Sequence, residues 1–299
     1  RQMNNSRLSK DVLGTLPAQA ASDGAGVKIH RSIGTWDLDH VDPFLLLDEF
    51  RSENEDDYLS GFPMHPHRGI ETVTYMLAGR VRHEDSLGNT GVIGPGDLQW
   101  MTAASGIVHS EMPEQQGGLL WGFQLWVNLP KSQKMGQPRY QNIEAQDIPV
   151  VSRPDGTTIK VIAGELDSVR GPISGISVNP IYLDVDMPAN TTFEYPVPDD
   201  HATLAYVFGG QALFGSSREN VGHEKRSQLV AFSEGNLVKV ETTSSPVRFL
   251  LLAGQPIHEQ IARRGPFVMN TQDEIETAFR DFRNGTFLKA PRTENTITQ

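Results

Sequence analysis

The chain of 299 residues contains no cysteine, and this absence excludes several kinds of chemistry. Disulfide bonds, zinc sites built from thiolates and cysteine nucleophiles all require a side chain that the protein does not have. Any metal ion must therefore be bound by nitrogen and oxygen ligands. The lack of cysteine also fits a reducing compartment, where disulfides are rare.

Positive charge and long apolar runs are scarce as well. Lysine and arginine total 26 against 37 acidic residues, which gives a net charge of −11. Such an acidic surface opposes attraction to nucleic acid, and we expect no direct nucleic-acid binding. No apolar run approaches the ~18 residues of a membrane span, and the first residues lack the apolar core of a signal peptide. The sequence thus indicates a cytoplasmic protein without a membrane partner, also nuclear if the source is eukaryotic.

Helical periodicity is rare, and the sequence predicts an all-β body. Its 28 glycines and 19 prolines favour a turn-rich chain, and turn signals such as DSLGNTG and RPDG separate short apolar runs. The exception is NTQDEIETAFRDFRNGTF, where Thr271 and Glu274 form a capping box and Asn284-Gly285 ends the apolar stripe. This pattern predicts one short helix over 271–283.

The two halves of the chain resemble each other. TVTYMLAG at 72–79 aligns without gaps with TLAYVFGG at 203–210, and GDLQWMT at 96–102 is similar to GNLVKVE at 235–241. Repeated units of this kind indicate a tandem architecture. We predict two tandem β-barrels, the first over 1–145 and the second over 146–299, with the helix at the end of the second. A tandem of barrels within one chain predicts a monomer.

Two pairs of polar side chains in the first half predict a metal site. His65 and His67 lie one residue apart in FPMHPH, and His109 and Glu111 have the same spacing in GIVHSEM. On extended strands the members of each pair point to the same face, ~6.6 Å apart along the chain. Inward residues of neighbouring barrel strands converge, so three imidazoles and one carboxylate can bind one ion. The alternative is a set of structural core histidines.

The second half predicts no matching site. In the register of the repeat, Pro196 and Pro198 replace the histidine pair, while Arg248 and Leu250 fall opposite His109 and Glu111. The remaining polar or aromatic residues of interest are expected to serve packing or the surface, with His83 in a polar excursion between strands. They are Arg68, His83, Trp100, His201 and His223.

Three segments closely resemble the pirin family, whose members are bicupins of the cupin superfamily. They are FPMHPHRGIETVTYMLAG, HEDSLGNTGVIGPGDLQWMTAASGIVHSEMP and GPFVMNT, and the resemblance extends from about Arg31 to Gly285. It implies two cupin barrels with a single iron ion in the amino-terminal one. By motif match the ligands are His65, His67, His109 and Glu111.

The identity of the carboxylate ligand has an alternative. The wider cupin pattern usually takes its carboxylate from the first motif, and this would nominate Glu71. The pirin pattern instead places it at Glu111, which we favour, with Glu71 as a hydrogen-bond partner close to the ligands. Spacing alone does not decide between Glu71 and Glu111. On one extended strand, residues 65, 67 and 71 would all point to the same face, because their numbers differ by even counts.

The metal and the function follow from the resemblance as expectations. Nitrogen and oxygen ligands suit Fe(II), Mn(II), Ni(II), Co(II) or Cu(II), and four ligands can also bind a structural Zn(II). The resemblance favours Fe(II).

The first functional hypothesis is a quercetin 2,3-dioxygenase type of enzyme that opens a small flavonol-like aromatic substrate, with Glu111 as the catalytic base. The second is a redox-responsive regulatory protein that binds a protein partner. An open site in a ligand-sized pocket would favour the enzyme, and a sealed site the regulator. A third hypothesis is a structural bicupin with a vestigial metal. It does not explain why the ligand set is present in the first half and absent from the second.

Overall fold

The structure, a computed structural model, describes residues 7–115 and 117–289 and consists mainly of β-strands. In chain order these are β1 (Val12–Pro17), β2 (Gln19–Asp23), β3 (Val27–Ile33), β4 (Phe44–Ser52), β5 (Phe62–His67), β6 (Ile70–Ala78), β7 (Val81–Asp85), β8 (Thr90–Ile93), β9 (Leu98–Thr102), β10 (Ile107–Pro113), β11 (Leu120–Asn128), β12 (Arg139–Ile143), β13 (Val150–Ser152), β14 (Thr158–Ala163), β15 (Glu165–Leu166), β16 (Val169–Arg170), β17 (Ile181–Met187), β18 (Thr192–Pro196), β19 (Ala202–Phe214), β20 (Glu219–Gly222), β21 (Gln228–Phe232), β22 (Leu237–Glu241), β23 (Val247–Gly254), β24 (Ala262–Arg264) and β25 (Phe267–Met269). One α-helix, α1 (Gln272–Asn284), follows them, and short 3₁₀ turns lie at Glu55–Asp57, Lys131–Gln133 and Ala145–Asp147. No helix in the described part of the chain is both long enough and apolar enough to cross a membrane.

The chain forms two compact units whose limits differ from the predicted domains. The first unit contains residues 20–145 and 257–289, and the second contains residues 7–19 and 146–256. Residues 7–19 and 257–289 therefore each belong to the unit other than the one in which the sequence placed them. The reason is tertiary pairing. Strand β1 hydrogen-bonds to β21, and α1 packs on β24 and β25 of the first unit.

The first unit contains two antiparallel sheets. The larger has the strand order β12-β9-β6-β11-β4-β3-β2, and the smaller has the order β5-β10-β7-β8. Their inner faces meet, because Glu111 of the smaller sheet accepts hydrogen bonds from Thr74 and Gln124 of the larger one. The chain crosses between the sheets at Gly69, which has a φ of +85°; a Cβ there would collide with the Val268 carbonyl. This turn carries the chain directly from His67 into β6.

The second unit has a comparable strand order but an apolar interior. Strands β18 and β22 pair as β5 and β10 do, and their inward residues Phe193, Tyr195, Val238 and Val240 are all buried in the core. The pairing also corrects the register of the repeat. The strand beside the start of β19 is β21, whereas GNLVKVE forms β22 beside β18. The segments at 96–102 and 235–241 are similar because each begins with a glycine turn that leads into a strand. The two strands nevertheless occupy different positions in their sheets.

Helix α1 confirms the predicted helix to within one residue. The Thr271 hydroxyl accepts from the Glu274 backbone N–H at 3.2 Å, and the Glu274 carboxylate accepts from the Asn270 N–H at 3.3 Å. Gly285 ends the helix with a φ of +72°. Local capping chemistry therefore determines both ends.

Candidate metal centre

Three histidine side chains converge inside the first unit. Strands β5 and β10 pair in a register that places His109 opposite His65 and Ile107 opposite His67. The Nε2 atom of His65 lies 3.1 Å from Nε2 of His67 and 2.9 Å from Nε2 of His109. The two strands thus bring together the three imidazoles that the sequence predicted to meet.

The hydrogen bonds of His65 and His67 determine which nitrogen faces the cluster. Nδ1 of His65 donates to the Pro63 carbonyl at 2.7 Å, and Nδ1 of His67 donates to the Pro266 carbonyl at 3.4 Å. A carbonyl only accepts, so in each neutral ring the proton sits on Nδ1 and Nε2 carries a free lone pair. The two Nε2 lone pairs therefore face each other at 3.1 Å without a proton between them.

Burial keeps the rings of His67 and His109 neutral. Burial, followed by the neighbouring His65, lowers the pKa of His67 to about 3, and burial holds the pKa of His109 well below its usual value. Neither of these two rings can therefore relieve the repulsion between the lone pairs by taking up a proton at neutral pH. A cation can. Two nitrogens bound at right angles to one ion at about 2.1 Å would lie about 3.0 Å apart, which matches the observed separations. The donor set fits a transition-metal ion.

Glu111 lies at one side of this cluster in a buried polar setting. Its carboxylate accepts from Gln124 Nε2 at 3.1 Å and from the Thr74 hydroxyl at 3.4 Å. Ligand atoms of His65, His67 and His109 lie within 4.8 Å of one another, whereas Glu111 forms an overlapping group with His109 and His83. The glutamate is thus beside the three imidazoles but, in this arrangement, nearer to His83 than to His65 and His67.

Glu71 lies on the opposite face of β6. Thr74 points toward Glu111, while the Glu71 carboxylate accepts from Trp100 Nε1 at 2.7 Å and from the Thr102 hydroxyl at 2.8 Å. The turn at Gly69 breaks the alternation of the strand, so the odd numbering shared with the histidines carries no information. The expected hydrogen-bonding role of Glu71 next to the ligands is therefore wrong, and so is its role as an alternative ligand.

One residue differs from its sequence-based description, and another agrees with the packing role expected of it. His83, placed by the sequence in a polar excursion, is buried, and its ring centroid lies 5.2 Å from that of His109. The alternation of Val81, His83 and Asp85 in β7 was the available signal. Arg68 is buried and donates to Ser105 O, Asp281 Oδ2 and Phe287 O at 2.6–3.0 Å, so it anchors the carboxy-terminal segment.

The second unit has no comparable cluster within the described residues. Among the described residues, both groups of three side chains with metal-ligating spacing lie in the first unit. Pro196 and Pro198 are exposed, and Arg248 and Leu250 belong to β23, not to the strand that corresponds to β10. His201 is held by Asp200 and the Asn179 carbonyl. Apolar side chains occupy the corresponding interior.

Comparison with known proteins places both barrels in recognised families. The Pirin family matches residues 26–127, and the Pirin C-terminal cupin domain matches residues 182–288. A pirin-like protein of Caulobacter vibrioides is 49% identical over 281 residues, covering 93% of this chain and 99% of that protein. A Pseudomonas aeruginosa protein, named as a candidate quercetin 2,3-dioxygenase, is 46% identical over 280 residues, covering 92% of this chain and 97% of its own. A crystal structure of a quercetin 2,3-dioxygenase from Acinetobacter baumannii superposes with a TM-score of 0.84 at 34% identity, covering 94% and 99% of the two chains. The predicted all-β architecture of two cupin barrels is confirmed.

Proposed function

Because the chain belongs to the pirin family, we propose that it binds Fe(II) and cleaves flavonols by the quercetin 2,3-dioxygenase type of reaction. The proposed ligands are His65, His67, His109 and Glu111. The names of the Pseudomonas and Acinetobacter relatives support this choice of reaction.

The observation that carries the proposal is a cleft that reaches the histidine cluster. His65 and His67 line a cleft of about 680 Å³, together with Phe62, Trp126 and Arg263. This volume lies within the range of small-molecule sites, roughly 300–1,000 Å³. An accessible site of this size favours the enzyme over the redox-responsive regulator, for which a sealed site was expected.

Trp126 and Arg263 give the cleft a surface suited to a planar ring. The Trp126 ring meets His67 edge to face at 5.2 Å, and the Arg263 guanidinium lies over the Trp126 ring, 5.3 Å from its centroid. Arg263 NH1 is fixed by the Leu45 carbonyl at 2.7 Å. An aromatic face beside a guanidinium favours an electron-rich aromatic substrate with oxygen substituents.

Glu111 is the proposed base. A bound Fe(II) would act as a Lewis acid on the 3-hydroxyl of the flavonol and lower its pKa. Glu111 would accept that proton on a carboxylate oxygen, since Gln124 and Thr74 hold the group in place. Gln124 is itself oriented by Trp126 Nε1, which donates to its Oε1 at 3.2 Å. One chain of hydrogen bonds therefore connects the aromatic wall of the cleft to the base.

Oxygen uptake tests the proposal. The purified protein, loaded with Fe(II) and with its iron content measured, should consume dioxygen in the presence of quercetin and release carbon monoxide. The His65→Ala variant should lose both high-affinity iron binding and turnover. The control His30→Ala changes an exposed histidine of β3 and should retain both. Absence of oxygen uptake by iron-occupied protein across a panel of flavonols would contradict the dioxygenase function.

A further inference from the structure

A buried histidine lies across from Glu111 on the strand next to it. Strands β7 and β10 pair with His83 opposite Glu111 and Asp85 opposite His109. The His83 side chain is 2% exposed, and it lines a separate small cleft of about 170 Å³ together with Tyr140. His83 therefore approaches the centre from the side away from His65 and His67.

A chain of hydrogen bonds determines the tautomer of His83. Asp85 accepts from the Leu87 and Asn89 backbone N–H groups and from the Asn89 side chain at 2.8–2.9 Å, an arrangement that suits a carboxylate anion. Tyr140 hydrogen-bonds to Asp85, and Asp85 Oδ2 also lies 3.9 Å from His83 Nε2. Because that anion only accepts, the Tyr140 hydroxyl donates to it and His83 Nε2 carries a proton on the same side. The Tyr140 oxygen then accepts from His83 Nε2, 3.1 Å away. In the neutral His83 ring, Nδ1 is consequently left with a free lone pair.

This lone pair has the properties of a metal ligand. Nδ1 of His83 is buried and meets no hydrogen-bond partner among the residues described, and the same is true of Nδ1 of His109. Ligand atoms of His83, His109 and Glu111 lie within 4.8 Å of one another. A carboxylate that orients a histidine through an intermediate hydroxyl is a common way to fix the donor nitrogen of a metal site.

We propose that the centre has a second cation position, formed by His83 Nδ1, His109 and Glu111, beside the position formed by the other two histidines. The two positions share His109 and the proposed ligand Glu111, so one divalent ion occupies one or the other. In the second position His83 takes the place of His65 and His67. The inference rests on the proposed metal binding but is independent of the dioxygenase reaction.

Binding of Co(II), followed by its visible absorption and by calorimetry, tests the proposal without any activity measurement. The double variant His65→Ala/His67→Ala removes the first position and should still bind one Co(II) per chain, at least tenfold more weakly than the parent protein. Adding His83→Gln to this double variant should abolish the remaining binding. In the same background, Tyr140→Phe removes the group that fixes the tautomer and should weaken binding about tenfold. Adding His30→Gln, a change at an exposed residue, should leave it unaltered.

The outcomes separate clearly. If the folded double variant binds no Co(II), or if His83→Gln leaves its affinity and spectrum unchanged, the second position does not exist. Circular dichroism and thermal melting establish that each variant is folded. A protein that binds Co(II) as described but does not consume oxygen with flavonols would refute the proposed function and leave this inference intact.

Discussion

Replacement of Arg68 by methionine should destabilise the first unit strongly, although the side chain contacts no proposed metal ligand. Its guanidinium is 1% exposed and donates to the carbonyls of Ser105 and Phe287 as well as to Asp281. It also lies 4.5 Å over the Phe287 ring. Methionine fills a similar volume but donates nothing, so two buried carbonyl oxygens lose their partners.

The magnitude follows from these contacts. An unsatisfied buried acceptor costs about 1–3 kcal/mol, so the two carbonyls together cost about 4 kcal/mol. Asp281 keeps a second cationic partner, Lys289 at 3.4 Å, so the two carbonyls account for most of the loss. A loss of about 4 kcal/mol is a large part of the 5–15 kcal/mol typical of a domain.

Urea unfolding followed by circular dichroism measures this loss, and limited proteolysis should show earlier cleavage in the segment after Ile257. The matched control is Arg82→Met, which removes an arginine whose side chain is 48% exposed and whose partners are Glu84 and Glu114. It should leave the midpoint of urea unfolding nearly unchanged, because exposed ion pairs contribute little to stability. If Arg68→Met is as mild as Arg82→Met, buried donors do not hold the carboxy-terminal segment in place and the reasoning is refuted.

Three further predictions concern the carboxylates and the cluster. Burial, opposed by hydrogen bonds from Trp100 and Thr102, raises the pKa of Glu71 from 4.5 to about 7. The stabilising effect of protonated Glu71 is therefore complete below pH 4.5 and disappears as the pH rises through 7. Relative to the parent, the free energy of unfolding of Glu71→Gln, measured in urea, should increase by about 3 kcal/mol between pH 4 and pH 8.5. An equal pH dependence of both proteins would contradict this. His109→Ala should abolish high-affinity iron binding, measured by chelator competition, while the far-ultraviolet circular dichroism spectrum stays that of a folded β protein; retained affinity would exclude His109 as a ligand. Glu111→Gln should weaken iron binding less than His109→Ala does but should suppress flavonol turnover more, and normal turnover of iron-loaded Glu111→Gln would exclude its role as base.

Local signals in the sequence predicted the parts of this molecule that depend on neighbouring residues. The capping box at Thr271 and Glu274 predicted α1, and the spacing of His65 and His67 predicted two side chains on one face of β5. The convergence of His109 on this pair followed from the alternation expected in a barrel. These features need only strand and helix geometry.

Features that depend on residues far apart in the chain could not be predicted from the sequence. Glu71 was placed beside the histidines because a single strand was assumed where the turn at Gly69 interrupts it. His83 looked like part of a polar excursion, since the tyrosine that orients it lies 57 residues away in the chain. The position of α1 in the first unit is accompanied by contacts of Arg68 with Asp281 and Phe287, which are more than 200 residues away from it.

The hydrogen bond between His67 and the Pro266 carbonyl spans 199 residues and has a consequence for biosynthesis. While the polypeptide emerges from the ribosome, the strands with the histidines are exposed long before the segment that orients His67 and pairs with Arg68 has been translated. Until then, the nascent amino-terminal half presents His67 without the carbonyl that orients its ring. The proposed metal site is therefore completed only after the whole second barrel has been translated.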